Sequence, residues 1–387
     1  MQSDLFEADH EAYRETVRGF VDREVVPNLE RWDEQRLIDR DTWRAAGKLG
    51  LLGLSIPEQF GGADEQDYRF RVVVIEELAR VGAASLQSGF STNDDIVLNY
   101  LLRLADEEQR ERWLPGFASG ESIGAIAMSE PGTGSDLRGI TTSAIKRDDG
   151  WLLNGTKTFI TSGILADLVI VVARTDPDAG SRGFTLLVVE EGMEGFSRGR
   201  QLDKVGLAAQ DTAELIFEDV CVPARNVLGQ IGGGFGHLMD SLPLERLGIG
   251  LAAQMSAEAV LKWTVDYVSE RSAFGKKISQ FQNTGFVLAD LATRIDLSRA
   301  FLDRAVRQHN RGDLSVVDAA KAKLAATELQ WDVIDAGVQL HGGYGYMKEY
   351  PVAKAFVDAR IQRIYGGTNE IMKEIIQRDL FAAAGRV

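Results

Sequence analysis

The chain has 387 residues, 44% hydrophobic and 26% charged, enough for two or three domains around a sizeable core and too apolar for disorder. Its 58 acidic and 43 basic residues give a net charge of -15, which speaks against nucleic acid as the main partner, because phosphate backbones call for a basic face. A lone cysteine, Cys221, excludes an internal disulfide or a multi-thiolate zinc site, and the four histidines lie far apart, so no metal is expected. No apolar run approaches the roughly 18 residues of a membrane span, and none is expected to insert. The acidic start, through His10, lacks an apolar leader core or an Arg-rich amphipathic pattern, which predicts a cytoplasmic protein.

From Glu11 to about Ala118 apolar residues recur at helical spacing, as in Val72, Val73, Ile75 and Leu78, or Ile96, Leu98, Leu101 and Leu102. The turn-rich Pro57 to Gly62 stretch reads as a loop between helices. Residues 1–120 are therefore expected to form an α-helical domain. Residues 121–228 carry short β-rich runs: Ile123 to Met128, Trp151 to Leu153, Leu168 to Ala173, Phe184 to Val189 and Ala213 to Phe217. Turns are expected at 148–150 (Asp-Asp-Gly) and at Asn154-Gly155. Over 229–387 the helical period returns in Leu242 to Arg271, Thr284 to Arg311, Val316 to Leu340 and Val352 to Tyr365, as in a helical bundle. The fold class is α+β, in the order helices, strands, helices, without an internal repeat.

Forty glycines invite a dinucleotide reading, yet no G-x-G-x-x-G opens a helix after a strand and no G-x-x-x-x-G-K-[ST] occurs. The segment Ala127-Met-Ser-Glu-Pro-Gly-Thr-Gly-Ser-Asp-Leu-Arg-Gly139 is a strand end running into a glycine-relieved loop with exposed N–H groups and hydroxyls. Such a loop can cradle an anion or a polar ring edge, and it can equally be an ordinary turn.

Ser129-Glu-Pro-Gly-Thr-Gly-Ser-Asp136 resembles the flavin-binding signature of the acyl-CoA dehydrogenase family, and the likeness runs in order along nearly the whole chain. It implies FAD contacts at Met128, Ser129, Gly134 and Ser135. Trp151 to Thr161 looks like the family's second flavin contact, through Phe159, Ile160 and Thr161. Arg271 and Phe274, Gln282, the run Gln339, Leu340, His341, Gly342 and Gly343, and the final Thr368, Asn369 and Glu370 match the segments that hold the pyrophosphate and adenosine. The resemblance also implies a homotetramer in which Arg271 and Gln282 serve the next subunit's flavin, and electron-transfer flavoprotein as acceptor.

Desaturating a thioester across Cα and Cβ needs a carboxylate for the α-proton and donors for the developing enolate oxygen. Many family members carry the base in a Tyr-Glu-Gly-Thr motif, but here the segment reads Tyr365-Gly366-Gly367-Thr368. A minority branch, including the long-chain and isovaleryl enzymes, uses a Leu-x-x-Glu-Arg pattern, which Leu242-Pro-Leu-Glu245-Arg246 fits. Glu245 is therefore the expected base, with a raised pKa from desolvation. Read alone, it is a first-turn Glu near Pro243 that complements a helix dipole. Glu370, the competing carboxylate, sits about one helical turn from Gly366 and matches a cofactor contact instead.

The resemblance places the thioester oxygen on the Gly366 N–H and a ribityl hydroxyl. It assigns Ser135, Arg246, Tyr365 and Gly367 to acyl-CoA, while Arg182 is either a CoA-phosphate contact or a solvated loop cation. Lys204 to Asp219 and Gln339 to Met372 look most like long-chain acyl-CoA dehydrogenases, favouring a long or branched fatty acyl-CoA, as in fatty-acid β-oxidation. An oxidase, a flavin monooxygenase or a non-catalytic CoA-binding relative remain the alternatives. Tyr344, Tyr346 and Tyr350 read as core or subunit-interface residues rather than chemistry.

Overall fold

In a computed structural model that describes residues 4–383, helices fill the chain up to Ser119, strands occupy Gly124–Leu228 and helices resume at Gly234. Met1 to Ser3, part of the acidic start noted above, lie outside the described residues. The N-terminal helices include Tyr68–Arg80 and Glu107–Ser119, the latter begun by an Asp106/Gln109 capping box and ended by the left-handed Gly120. Between them Ala84–Ser91, a π-helical stretch Thr92–Leu98 and Asn99–Leu104 run on as one rod. The wide π turns rotate the residues that follow, and such turns cluster at functional sites.

The middle of the chain is one mixed sheet. Its strands are β1 (Gly124–Ala127), β2 (Ser143–Arg147), β3 (Gly150–Thr161), β4 (Leu168–Arg174), β5 (Phe184–Glu190), β6 (Phe196–Gln201), β7 (Thr212–Pro223) and β8 (Val227–Leu228). They lie in the order β6-β7-β3-β2-β4-β5-β8, with β1 parallel to β4 on its other edge. The expected turn at 148–150 joins β2 to β3, where Arg147 pairs with Gly150. The turn expected at Asn154-Gly155 is not one: both residues lie inside β3, where the register with β7 shifts between Leu153 and Gly155. Asn154 exchanges hydrogen bonds with Asp219 across this bulge, so the dipeptide bends a continuous strand.

Five long segments close the chain: Gly234–Glu270, Gln282–Asn310, Val316–His341, Pro351–Ala359 and Asn369–Ala383, the last not anticipated. Small residues let them approach closely; a Cβ on Gly250 would sit 3.2 Å from the backbone of Ala322. The helix that carries Glu245 also begins earlier than expected, at Gly234, where Gly233 bridges to Phe184 of β5. Glu245 is thus about three turns in, and the first-turn dipole reading does not apply.

One apolar cluster binds all three parts: Leu98, Leu101 and Phe117 from the first helices, Ile170 and Val188 from the sheet, and Leu238 from the long helix, with Met128, Leu137 and Phe235 packed against them. Among the described residues no helix is long and apolar enough to cross a membrane.

Candidate active site

Leu238, Ser241, Glu245, Gly248 and Ala252 repeat at helical spacing along the buried stripe of Gly234–Glu270. A carboxylate on that stripe has to face the core, and Glu245 is 4% exposed. Burial pushes its pKa up to about 7, against a hydrogen bond from the Tyr100 hydroxyl to Oε1 (3.2 Å) and the nearby Arg246 charge. Pro243 interrupts the helix two residues earlier; lacking an N–H, it leaves the Met239 carbonyl without its usual intrahelical donor.

Arg246 turns the other way, its Nε donating to the Gly366 carbonyl at 3.3 Å. This ties Glu245 and its neighbour to the Tyr365-Gly366-Gly367 turn that follows Arg360–Arg363. The Tyr365 hydroxyl bonds with Ser88 of Ala84–Ser91, so the turn is held from the N-terminal helices as well. Gly366 and Gly367 have φ of +63° and +89°, and a Cβ on Gly366 would meet Ile249 Cδ1 at 2.4 Å. The position that lacks a carboxylate is both left-handed and filled by a residue one turn from Glu245.

The Ser129–Asp136 loop leaves β1 around a buried anchor. Glu130 accepts from Thr141 N (2.7 Å), Thr141 Oγ1 (2.6 Å), Thr142 N (2.9 Å) and Lys157 Nζ (2.9 Å), and Lys157 also donates to the Met128 carbonyl at 3.0 Å. Burial pushes Glu130 up, but these donors outweigh it and hold the carboxyl at about 2; burial brings the Lys157 ammonium down to about 8. The anchored loop presents Gly134 and Ser135 to solvent, with open space above Gly132 and Gly134. Phe159, 70% exposed at φ +59°, projects where the β3–β7 register breaks again between Lys157 and Ile160. An exposed aromatic in a strained conformation marks a binding platform. Thr161 beside it is half-buried, whereas the Ile160 side chain is in the sheet core, so that residue has only its backbone to offer.

A separate depression of about 590 Å³ is lined by Tyr267, Arg271, Ile278, Gln339 to Tyr344 and Met347. It gathers Arg271 with the whole Gln339–Gly343 run, and no residue of the sheet lines it. His341 is stacked on Tyr267 at 4.2 Å and bonded to the Gly337 carbonyl at 2.7 Å, so it is a wall of this depression. Phe274, 95% exposed, and Gln282, also exposed, point away from the chain's own core. Thr368 caps the last helix, bonding the Ile371 N–H, and Glu370 is exposed. The Asn369 amide is turned inward to Thr327 and Glu328. Tyr344 packs with Tyr350 at 5.1 Å, and Tyr346 is exposed on this chain.

Two surfaces suit different ends of a flavin dinucleotide: an exposed aromatic beside a hydroxyl-rich loop for the ring, and a depression carrying the Arg271 guanidinium for the diphosphate. Models of the acyl-CoA dehydrogenase N-terminal, middle and C-terminal domains match residues 7–121, 125–220 and 232–381. The chain belongs to the acyl-CoA dehydrogenase family. It is an oxidoreductase, and the family's members are FAD flavoproteins. It is 47% identical to the long-chain specific acyl-CoA dehydrogenase of Sus scrofa over 97% of this chain and 87% of that protein. The crystal structure of an acyl-CoA dehydrogenase from Geobacillus kaustophilus superposes with a TM-score of 0.95 at 45% identity, covering 98% and 100% of the two chains. A glutaryl-CoA dehydrogenase from Mycobacterium smegmatis in complex with FADH2 matches at 28% identity and TM-score 0.91, over 98% and 96%.

Tyr100, Lys157, Ile249 and Lys323 escaped sequence reasoning, because nothing local distinguishes them from ordinary helix and strand residues. Arg182 is exposed in its turn (Gly180–Gly183); a cleft of about 250 Å³ beside it is lined by Arg138, Arg174, Gly180, Ser181 and Phe184. Arg174 spends its guanidinium on the Ile140 and Arg138 carbonyls, which leaves Arg138 as the exposed cation of that cleft.

Proposed function

We propose that this acyl-CoA dehydrogenase acts on long or branched fatty acyl-CoA, with Glu245 as the base. The observation that carries the reading is the buried Glu245 carboxyl, bonded to Tyr100 and joined through Arg246 to the Gly366 turn, while Gly366 itself brings no carboxylate. A carboxyl near pKa 7 is matched to proton abstraction at neutral pH. The α-proton passes to a Glu245 oxygen, and the Gly366 N–H donates to the thioester oxygen as enolate charge develops. Tyr365 and Gly367 complete the turn beside the thioester. Arg246, half of this link, holds the turn in register with the base.

FAD, when bound, accepts the β-hydrogen as hydride. Ser129, Gly134, Ser135, Phe159, Thr161 and the backbones of Met128 and Ile160 would hold its ring end. Arg271, Phe274, Gln282, Gln339 to Gly343, Thr368 and Glu370 would hold its diphosphate and adenosine. The ring surface and the depression share no lining residue in one chain, and Phe274 and Gln282 point outward, which supports a homotetramer sharing flavin sites. Arg182 and Arg138, both exposed beside the Gly180–Gly183 turn and its cleft, are the candidate CoA-phosphate contacts. The 47% identity to a long-chain enzyme supports the substrate class, and the family supports electron-transfer flavoprotein as acceptor.

Anaerobic mixing of the flavin-loaded protein with acyl-CoAs of graded length tests this. Bleaching of the visible flavin band should be fastest with long or branched chains. A profile that peaks at butyryl-CoA and falls with length overturns the substrate assignment.

A further inference from the structure

Three successive carbonyl oxygens of the Tyr365-Gly366-Gly367 turn are held by side-chain N–H donors behind it. Lys323, in Val316–His341 and 0% exposed, donates from Nζ to the Tyr365 oxygen at 2.7 Å and to the Gly367 oxygen. Arg246 holds the Gly366 oxygen between them. The charges that bear on Lys323 are Arg246 and the exposed Glu370. A lysine buried with two backbone carbonyls as its bonding partners carries a desolvation penalty, which makes a role for it beyond filling space worth testing.

The peptide plane shows what that arrangement controls. In a trans peptide the C=O and N–H point in opposite directions, and the described chain has no cis bond. Holding the Tyr365 oxygen therefore directs the Gly366 N–H away from Lys323. A hydrogen bond to the carbonyl also polarises the amide and strengthens its N–H as a donor.

We propose that Lys323 is a positioning residue for the dehydrogenation: by holding the Tyr365 carbonyl it aims and strengthens the Gly366 N–H at the thioester oxygen, without touching substrate. This rests on the reading of the Gly366 N–H as an oxyanion donor. Removing Lys323 then weakens recognition of the carbonyl oxygen specifically, not of the CoA or the acyl chain.

The test uses two probes on the flavin-loaded protein: a 3-thiaacyl-CoA, whose α-proton is acidic but which has no β-carbon to dehydrogenate, and the matching CoA thioether without a carbonyl oxygen. Affinities are read from perturbation of flavin absorption, and enolate formation from its long-wavelength band across pH. The parent should prefer the thioester, and Lys323→Met should cut that preference by about tenfold or more, leaving thioether affinity within about threefold. The enolate band should move to higher pH in Lys323→Met and return toward the parent in Lys323→Arg. If Lys323→Met does not retain flavin, Lys323→Leu, which likewise has no donor, is read the same way. A parental thioester preference and enolate pH in the neutral variant overturn the proposal and leave Lys323 a strut. A parent that binds both probes equally overturns the oxyanion-donor reading itself, and this is visible without any variant.

Discussion

The Tyr100 hydroxyl donates to Glu245 Oε1 at 3.2 Å, joining residues 145 apart in the chain inside a fully buried contact. A donor to a carboxylate favours its ionised form, so this bond opposes the burial that pushes Glu245 up to about 7. In Tyr100→Phe the opposition is gone. The acid limb of the kcat/KM profile should move upward by about one pH unit, with activity recovered above the limb. A limb that stays in place, in otherwise folded protein, would mean that the hydroxyl does not serve the ionised base.

Glu245→Gln keeps shape and hydrogen bonding but cannot take a proton. The reductive rate should fall by about 10² to 10⁴, with flavin content and CoA affinity unchanged. Stability supplies an independent check. The folded pKa lies above the unfolded value near 4.5, so the contribution is complete below pH 4.5 and lost as pH rises through about 7. Thermal unfolding of the parent should show that decline, of the order of 3 kcal/mol at most, and the variant should lack it. Parallel curves would contradict a raised pKa at this site.

The long helices were legible because buried positions such as Leu247 and Leu251, or Ala319 and Ala322, repeat at the helical period along sequence. The Ser129–Asp136 loop was legible because its glycines and hydroxyls are contiguous. What stayed hidden depends on partners distant in the chain. β6 reads Phe-Ser-Arg-Gly-Arg-Gln and is a strand because β7 pairs with it. Asn154-Gly155 serves turns and bulges alike, and only the pairing with β7 decides which. Pro243 read as a helix start, yet the docking of Gly233 on β5 begins the helix earlier. Lys157 and Lys323 look like surface cations until packing buries them against acceptors 27 and 42 residues away. The side-chain partners of Asn369, Thr327 and Glu328, lie 42 and 41 residues away and are likewise invisible in the local motif.

The Glu130–Lys157 pair supports the ring-side loop from within the sheet. Lys157→Met removes the cation but leaves a buried carboxylate, a change that costs about 3–5 kcal/mol when a pair is broken from one side. Loss of flavin on gel filtration and a lowered melting temperature are expected. Glu130 has its folded pKa below the unfolded one, so its contribution is present above about pH 4.5 and fades as pH falls through about 2. Acid titration of flavin release should follow that window in the parent. Full flavin retention by Lys157→Met would show that the loop is held by other means.

The Gly366 site predicts an epistatic result. Returning a carboxylate there, as Gly366→Glu, places a side chain at φ +63° and against Ile249 Cδ1, which a Cβ would meet at 2.4 Å. Backbone strain of about 1–3 kcal/mol and the clash should together keep the new carboxylate out of place. Glu245→Gln with Gly366→Glu should therefore remain as slow as Glu245→Gln alone. Adding Ile249→Ala opens the space while leaving the strain, and the triple variant should regain about tenfold in reductive rate. The mechanism behind the expectation is specific: Ile249 lies one turn beyond Glu245 on the same helix, so the side chain that a Cβ at position 366 would meet is carried by the element that bears the proposed base. Stopped-flow bleaching of the three variants decides it. If the double variant already approaches the parental rate, Ile249 yields freely and packing is not what keeps the base on the long helix.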